Sequence, residues 1–544
     1  SRTRIVKGKI TEITGGTSRI FAKSIKINSG RSINYYAKNY TYGEPQDPPA
    51  SKYAEFDIDF ELNMDENTMV PFGILDYENN IENPYFSFKY ALRNNDIDSL
   101  GFKITDEENE IIYQMGYLKP VIIEARKKPL VLFEAKKPTE GPLISKIWEY
   151  QKIFEPYVLT EPDYTKRGEY HLNWDGFDND EIYDSTRFAG KKLKATITAT
   201  KGDIIKAKEI EFEVSYKEVE WVDVKINRNT KRIDVTLRVN LADGGEKGLT
   251  CQTINANMYG TPERTVCDWD RVPAKVISAY GYSIIKTRTK TFDELKKYVL
   301  EGINHYWSRN ASRGKKVMLG GISCEVFVNA INEIDRKKSM DDILLVYHTN
   351  GDWGRSGNPA SPIFNEIPDT GIIQQISYNT GYIKRFSEDP RELEGWRYSL
   401  EKDIDHVVGS LDYDAISEFK ETAAHEIGHE ILQAYYGEIF SWQHKGSSYI
   451  NQETKPTEAD KSTLNKISEK IPLTPYIPAV KPLDLMPDFK GEYYPKAPNE
   501  IDLMKYYNSH DKDGKFVSGE DLSRTIASES NVLGLIWLTK FNIK

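Results

Sequence analysis

Three residues in the segment Ala424-His425-Glu426-Ile427-Gly428-His429-Glu430 have the types and spacing for hydrolytic metal chemistry. His425 and His429 are four apart, so on a helix both imidazoles leave the same face one turn apart. That places two nitrogens where one Zn²⁺ could be reached at about 2.0–2.1 Å. Glu426, beside the first histidine, is placed to hold a water molecule on the metal and take its proton as general base. With 8 histidines in 544 residues, chance supplies on the order of 0.01 such patterns, so coincidence is a poor explanation.

The surroundings predict the required helix. Asp412 or Asp414 can cap its start, and Ile416, Phe419, Ala423, Ile427 and Ile431 form an apolar stripe. Gly437 supplies the stop. A zinc site needs a third protein ligand and one open position. His444, just past Gly437 where the chain can fold back, is the first choice; a carboxylate from Glu458, Glu500 or Asp502 is the alternative. Upstream, Thr291-Phe292-Asp293-Glu294 reads as a capping box opening a helix with Leu295, Val299 and Ile303 on one face. The runs Glu325–Val328 and Ile343–Tyr347 read as buried strands, and Gln375–Tyr378 as a strand whose edge could take an extended peptide.

The first ~220 residues read as β. Alternation is visible at Ala22–Ile27 and Phe56–Leu62, with an apolar run at Val121–Ile123. Leu193 to Ala199 and Ile210 to Val214 alternate in the same way, as does Ile233 to Leu241, which Asp243-Gly244-Gly245 would end. These patterns divide the chain into a β-rich domain over 1–125, a β-sandwich over 126–217, a β-rich connection or start of the catalytic domain over 218–274, and a catalytic domain over 275–544. The fold class is multidomain, with N-terminal β-sandwich modules before an α+β domain.

The stretch Trp174-Asp175-Gly176-Phe177-Asp178, followed by Phe188-Ala189-Gly190-Lys191, resembles the Ig-like module of flagellar hook-capping proteins. That resemblance implies a structural or spacer sandwich. The helix pattern together with Met504-Lys505-Tyr506 resembles the metzincin-like zincin metallopeptidases. It implies that Met504 forms a floor beneath the metal ligands and that Tyr506 donates a phenolic hydrogen bond to the oxyanion. Tyr435 stands where the third histidine of the metzincin signature would be, so the chain departs from that signature there. The segment His425–Ser448 and the tail from Ala527 to Trp537 are also similar to metallopeptidase domains of bacterial secreted and type VI-associated effectors. That likeness implies export from the producing cell, a protein or peptide substrate, and secretion machinery or an immunity protein as partners.

Composition sets outer bounds. Charged residues are 29% and the net charge is −10 with no basic block, which argues against a nucleic-acid partner. No apolar stretch approaches the ~20 residues of a spanning helix. The chain opens at Ser1 with no apolar leader, so a trimmed chain with its targeting signal out of view is expected. Three cysteines allow one bridge, with Cys251 and Cys267 the closest pair. Asp511 to Glu520 partly matches a calcium loop, with Ser509 where a first acidic ligand would stand. Two functions compete with a zinc endopeptidase: an adhesion protein with a structural or vestigial zinc, and a zinc hydrolase of non-peptide amides.

Overall fold

A computed structural model describes residues 55–65, 67–118, 163–255, 262–357, 374–385, 392–402, 412–437, 441, 444–446, 493–507 and 522–544. The expected strands at Ala22–Ile27 and Val121–Ile123, the calcium loop, and Glu458 lie outside these residues.

The described chain is β-rich and built from several sheets. At the front, one sheet holds Asp57–Leu62, Phe86–Arg93 and Gly168–Trp174. It faces a second sheet containing Ser99–Thr105, Ile111–Leu118, Lys191–Lys201 and Ile204–Tyr216. Alternation turns one face of each strand inward, and aromatic rings fill the gap. Phe88 meets Phe102 at 5.5 Å and Phe212 at 5.6 Å across the two sheets. The boundary read between 125 and 126 therefore falls inside one sandwich. Phe86–Leu92 pairs with Gly168–Trp174, and Ser99–Thr105 pairs with Lys194–Thr200. Local alternation marks strands but not partners, so two runs of strands looked like two modules.

The chain's last strand, Phe541–Ile543, inserts between Ile204–Tyr216 and Thr68–Met69 in the second sheet. The C-terminus thus closes the N-terminal sandwich.

Behind it, Arg232–Lys247 is the axis of a larger sheet. It runs antiparallel to Val222–Asn227, parallel to Ile322–Asn332 along its first half, and parallel to Asp342–His348 along its second. Gln375–Asn379 then lies parallel to Asp342–His348. The expected stop at Asp243-Gly244-Gly245 is instead an irregularity within the strand, with the register shifting between Asp243 and Glu246. Gly244 allows it: a Cβ there would lie 2.6 Å from Val346 Cγ2. The pair of glycines bends this strand where the sequence suggested a turn.

Four α-helices are described: α1 (Ala274–Tyr280), α2 (Phe292–Trp307), α3 (Ala415–Tyr436) and α4 (Glu529–Trp537). None is long and apolar enough to cross a membrane. The capping box of α2 forms as read: Thr291 Oγ1 accepts the Glu294 amide and Glu294 Oε2 accepts the Thr291 amide. α3 packs against α2, α4 and the strand Gln375–Asn379. The α2–α3 approach is close enough that a Cβ on Gly302 would lie 2.2 Å from the Lys420 carbonyl oxygen. Cys251 and Cys267 are joined in a disulfide across a hairpin, and Cys324 is a buried free thiol.

Gly302→Ala should destabilise the protein by about 1–3 kcal/mol, because a backbone carbonyl cannot step aside as a side chain would. Urea unfolding would read this as a lower midpoint with an unchanged slope.

Candidate metal centre

α3 begins where the Asp414 carboxylate accepts the amides of Ile416 and Ser417, at 3.0 and 3.1 Å. Asp414 is the cap among the two aspartates considered. The helix ends at Gly437, whose φ of 92° suits a residue without a side chain. Between them His425, Glu426 and His429 are all buried. Burial of two imidazoles is costly unless each finds a partner for at least one nitrogen.

Each does. His425 Nδ1 lies 2.7 Å from the Leu503 carbonyl, and His429 Nδ1 lies 3.1 Å from the Ser441 carbonyl. A carbonyl only accepts, so both Nδ1 atoms carry the proton and both Nε2 atoms keep a lone pair. The Ser441 hydroxyl returns a bond to the His429 carbonyl at 2.6 Å. His425 Nε2 is buried with no hydrogen-bond partner among the described residues. Burial lowers the pKa of His425, and burial together with the neighbouring His425 lowers that of His429 to about 3. Both rings are neutral in the folded protein near neutral pH, the form that binds a metal.

His444 completes the group. It sits on a short turn, His444–Gly446, and its ring centre is 4.5 Å from that of His429 and 5.2 Å from that of His425. One ligand nitrogen from each of His425, His429 and His444 lies within 4.8 Å of the others, so these three side chains could hold a metal ion. The turn is not relaxed. His444 and Lys445 have φ of 49° and 60°, left-handed values that cost a residue with a Cβ about 1–2 kcal/mol each.

The carboxylate alternatives are engaged elsewhere. Glu500 pairs with the buried Arg309 at 2.8 Å and accepts the Lys315 amide at 2.7 Å. Asp502 pairs with Lys445 and accepts the Met504 amide.

Met504 is fully buried beneath α3. A Cβ on Gly428 would lie 2.3 Å from Met504 Sδ and 2.9 Å from Trp307 Cζ2, so the glycine inside the histidine motif is where the methionine and the tryptophan press on the helix. Trp307 Nε1 donates to the Ala424 carbonyl at 3.0 Å. Tyr506 stacks on His444 with ring centres 4.0 Å apart and lies 5.5 Å from His425. The sequence pointed to the three histidines, Met504 and Tyr506. It held no signal for the Leu503 and Ser441 carbonyls, because any residue supplies one.

A small cleft beside the N-terminal half of α3 is lined by Trp353, Ser356, Ser377, Asn379, Glu418 and Thr422. Thr422 lies one turn before Glu426, although no histidine of the group lines this cleft. The edge expected at Gln375–Tyr378 is a strand, but its outer side is already met. Gly357 and Gln375 exchange backbone bonds, and the Ser377 amide donates to Ser356 Oγ at 3.0 Å. An incoming peptide would find those groups taken.

No family model matches the sequence, and no curated protein matches it. Among solved structures it is similar to Bifidobacterium dentium β-glucuronidase complexed with coumarin-3-O-glucuronide, at 9% identity and a TM-score of 0.13. That overlap covers 55% of this chain and 31% of the glucuronidase chain, less than a third of its length. A score so low carries no argument about fold or activity.

The depressed histidines make a pH prediction for the metal-free protein. The unfolded chain takes up these protons near pH 6.5, whereas folded His429 resists until about 3. Their contribution is therefore complete above about pH 6.5 and is lost as pH falls towards the folded value. Urea unfolding between about pH 6.5 and 4.5 should show a steeper loss for wild type than for His429→Gln.

Proposed function

We propose that the chain is a zinc-dependent endopeptidase of zincin type. The observation that carries this is the convergence of His425, His429 and His444 within 4.8 Å, with Glu426 next to the first of them on the same helix. Three imidazoles with a neighbouring carboxylate match a catalytic zinc set better than a structural one, which closes all four positions with protein ligands. The α3 packing against the sheet, with Met504 under Gly428, supports the zincin reading.

Bound zinc would supply a Lewis acid that lowers the pKa of a water molecule and polarises a carbonyl. The chain's own residues do the rest. Glu426 takes the proton of the attacking water and passes it to the leaving amine. Tyr506, stacked beside His444, donates from its phenol to the oxygen that gains charge. Leu503 and Ser441 hold the two helix imidazoles in the tautomer that leaves Nε2 unprotonated.

The Cys251–Cys267 disulfide supports a secreted protein, since thiols stay reduced in the cytosol. Delivery as a bacterial effector acting on another organism's proteins follows from the motif likeness, with secretion machinery or an immunity protein as partners.

Metal analysis should give about one zinc per chain in wild type and little in His425→Ala or His444→Ala. Against a peptide library, Glu426→Gln should retain zinc and lose cleavage by about two to four orders of magnitude. Equal cleavage by that variant would remove the mechanism. Zinc-loaded wild type that cuts no peptide would favour a non-peptide amide substrate or an adhesion role.

A further inference from the structure

The third imidazole stands on the least favourable backbone of the site, and one ion pair fastens it. We propose that Lys445 and Asp502 are a positioning pair that holds the His444 turn against the methionine floor, setting the third ligand before a metal arrives. This rests on the metal-centre reading and adds to it two residues that need touch no metal.

His444 and Lys445 both lie in the left-handed region, at φ of 49° and 60°. Such a conformation persists only where the surroundings over-determine it. The Lys445 ammonium supplies that determination. Its Nζ is 2.5 Å from Asp502 Oδ2 and 3.0 Å from Ser528 Oγ. The two paired side chains are only 10% and 13% exposed, so water does not screen the bond as it would at the surface.

Asp502 reaches further than its partner. Its Oδ1 accepts the Met504 amide at 3.0 Å, which shapes the turn that buries the methionine. The carbonyl between them, on Leu503, is the one that orients His425. One carboxylate is thereby tied to the neighbour of the third ligand, to the floor residue, and to the segment that fixes the first ligand. Lys445 and Asp502 are 57 residues apart in the chain, so the pair joins two segments that nothing local would hold in register.

Positioning and plain electrostatics predict opposite signs for one variant. An ammonium beside the centre repels a divalent cation, so by charge alone Lys445→Met should tighten binding. If the pair positions His444, the same variant should weaken it.

The test titrates Zn²⁺ against the full chain under a competing chelator, for wild type, Lys445→Met, Asp502→Asn and the double variant. Co²⁺ absorption reports the ligand geometry, and amide hydrogen exchange of 444–446 and 503–504 is read without metal. Kd should rise about 10–100-fold in each single variant, as for other groups that orient ligands. The double variant should be no worse than the weaker single one, because both remove the same contact. Cobalt absorption should change, and exchange should speed up at both segments. Lys445→Gln, with the same expected direction, serves if the methionine variant does not fold.

Unchanged or tighter binding by Lys445→Met, or a lower melting temperature with wild-type Kd, would overturn the pairing role and leave the metal centre standing. Additive losses in the double variant would do the same. Wild type that takes up no Zn²⁺ would overturn the metal centre itself and this role with it.

Discussion

Two hydrogen bonds from buried imidazoles to backbone carbonyls set the terms for the rest of the molecule. A histidine taken out of water needs a partner for its N–H, and a carbonyl is the partner that fixes the tautomer. His425 finds its carbonyl on Leu503 and His429 finds its own on Ser441. Neither partner lies on α3. The helix can supply the two rings, but only segments arriving from later in the chain can aim them.

That requirement explains the path of the C-terminal part. Ile501–Asp502 pairs with Thr525–Ile526, which places Leu503 and Met504 under the helix. Arg309, itself buried, holds this arrangement by donating to Glu500 and to the Ala527 carbonyl. α4 then packs on α3, where Gly534 faces the Tyr435 ring at distances that leave no room for a Cβ. The chain goes on to the front sandwich as Phe541–Ile543. Tyr435 donates to the Leu75 carbonyl at 2.6 Å, so the motif helix is also bonded directly to the sandwich region. One continuous apolar core runs from Phe86 and Trp174 through Leu237 and Val326 to Ile427 and Leu535. The sandwich thus shares its core with the helix that carries His425 and His429.

Glycine appears where two elements come closer than a Cβ allows. Gly302 lets α2 approach α3, and Gly428 lets Met504 and Trp307 press on the motif helix. The glycine of the motif therefore answers to packing, while its two histidines are aimed by carbonyls from other segments. The same close approach brings Trp307 Nε1 to the Ala424 carbonyl, so a hydrogen bond crosses between the two helices just before the first histidine.

Much was readable from residues alone, because its causes are local. The cap and stop of α3, the capping box of α2 and the alternating strands each depend on side chains within a few positions of one another. The shared face of His425 and His429 follows from helical pitch, and His444 from its closeness in the chain. What the sequence could not hold was pairing between distant segments. Alternation did not say that Phe86–Leu92 would lie beside Gly168–Trp174, so one sandwich read as two. A glycine pair could not announce whether it would end a strand or bend it. The order of residues did not separate the pairing of Asp502 with Lys445 from the alternative in which Asp502 is a metal ligand. The three histidines and their local spacing are written in the order of residues. Which carbonyl meets each helix imidazole, and that Asp502 meets Lys445 beside His444, depend on contacts between segments far apart in the chain, and only the folded structure decides those.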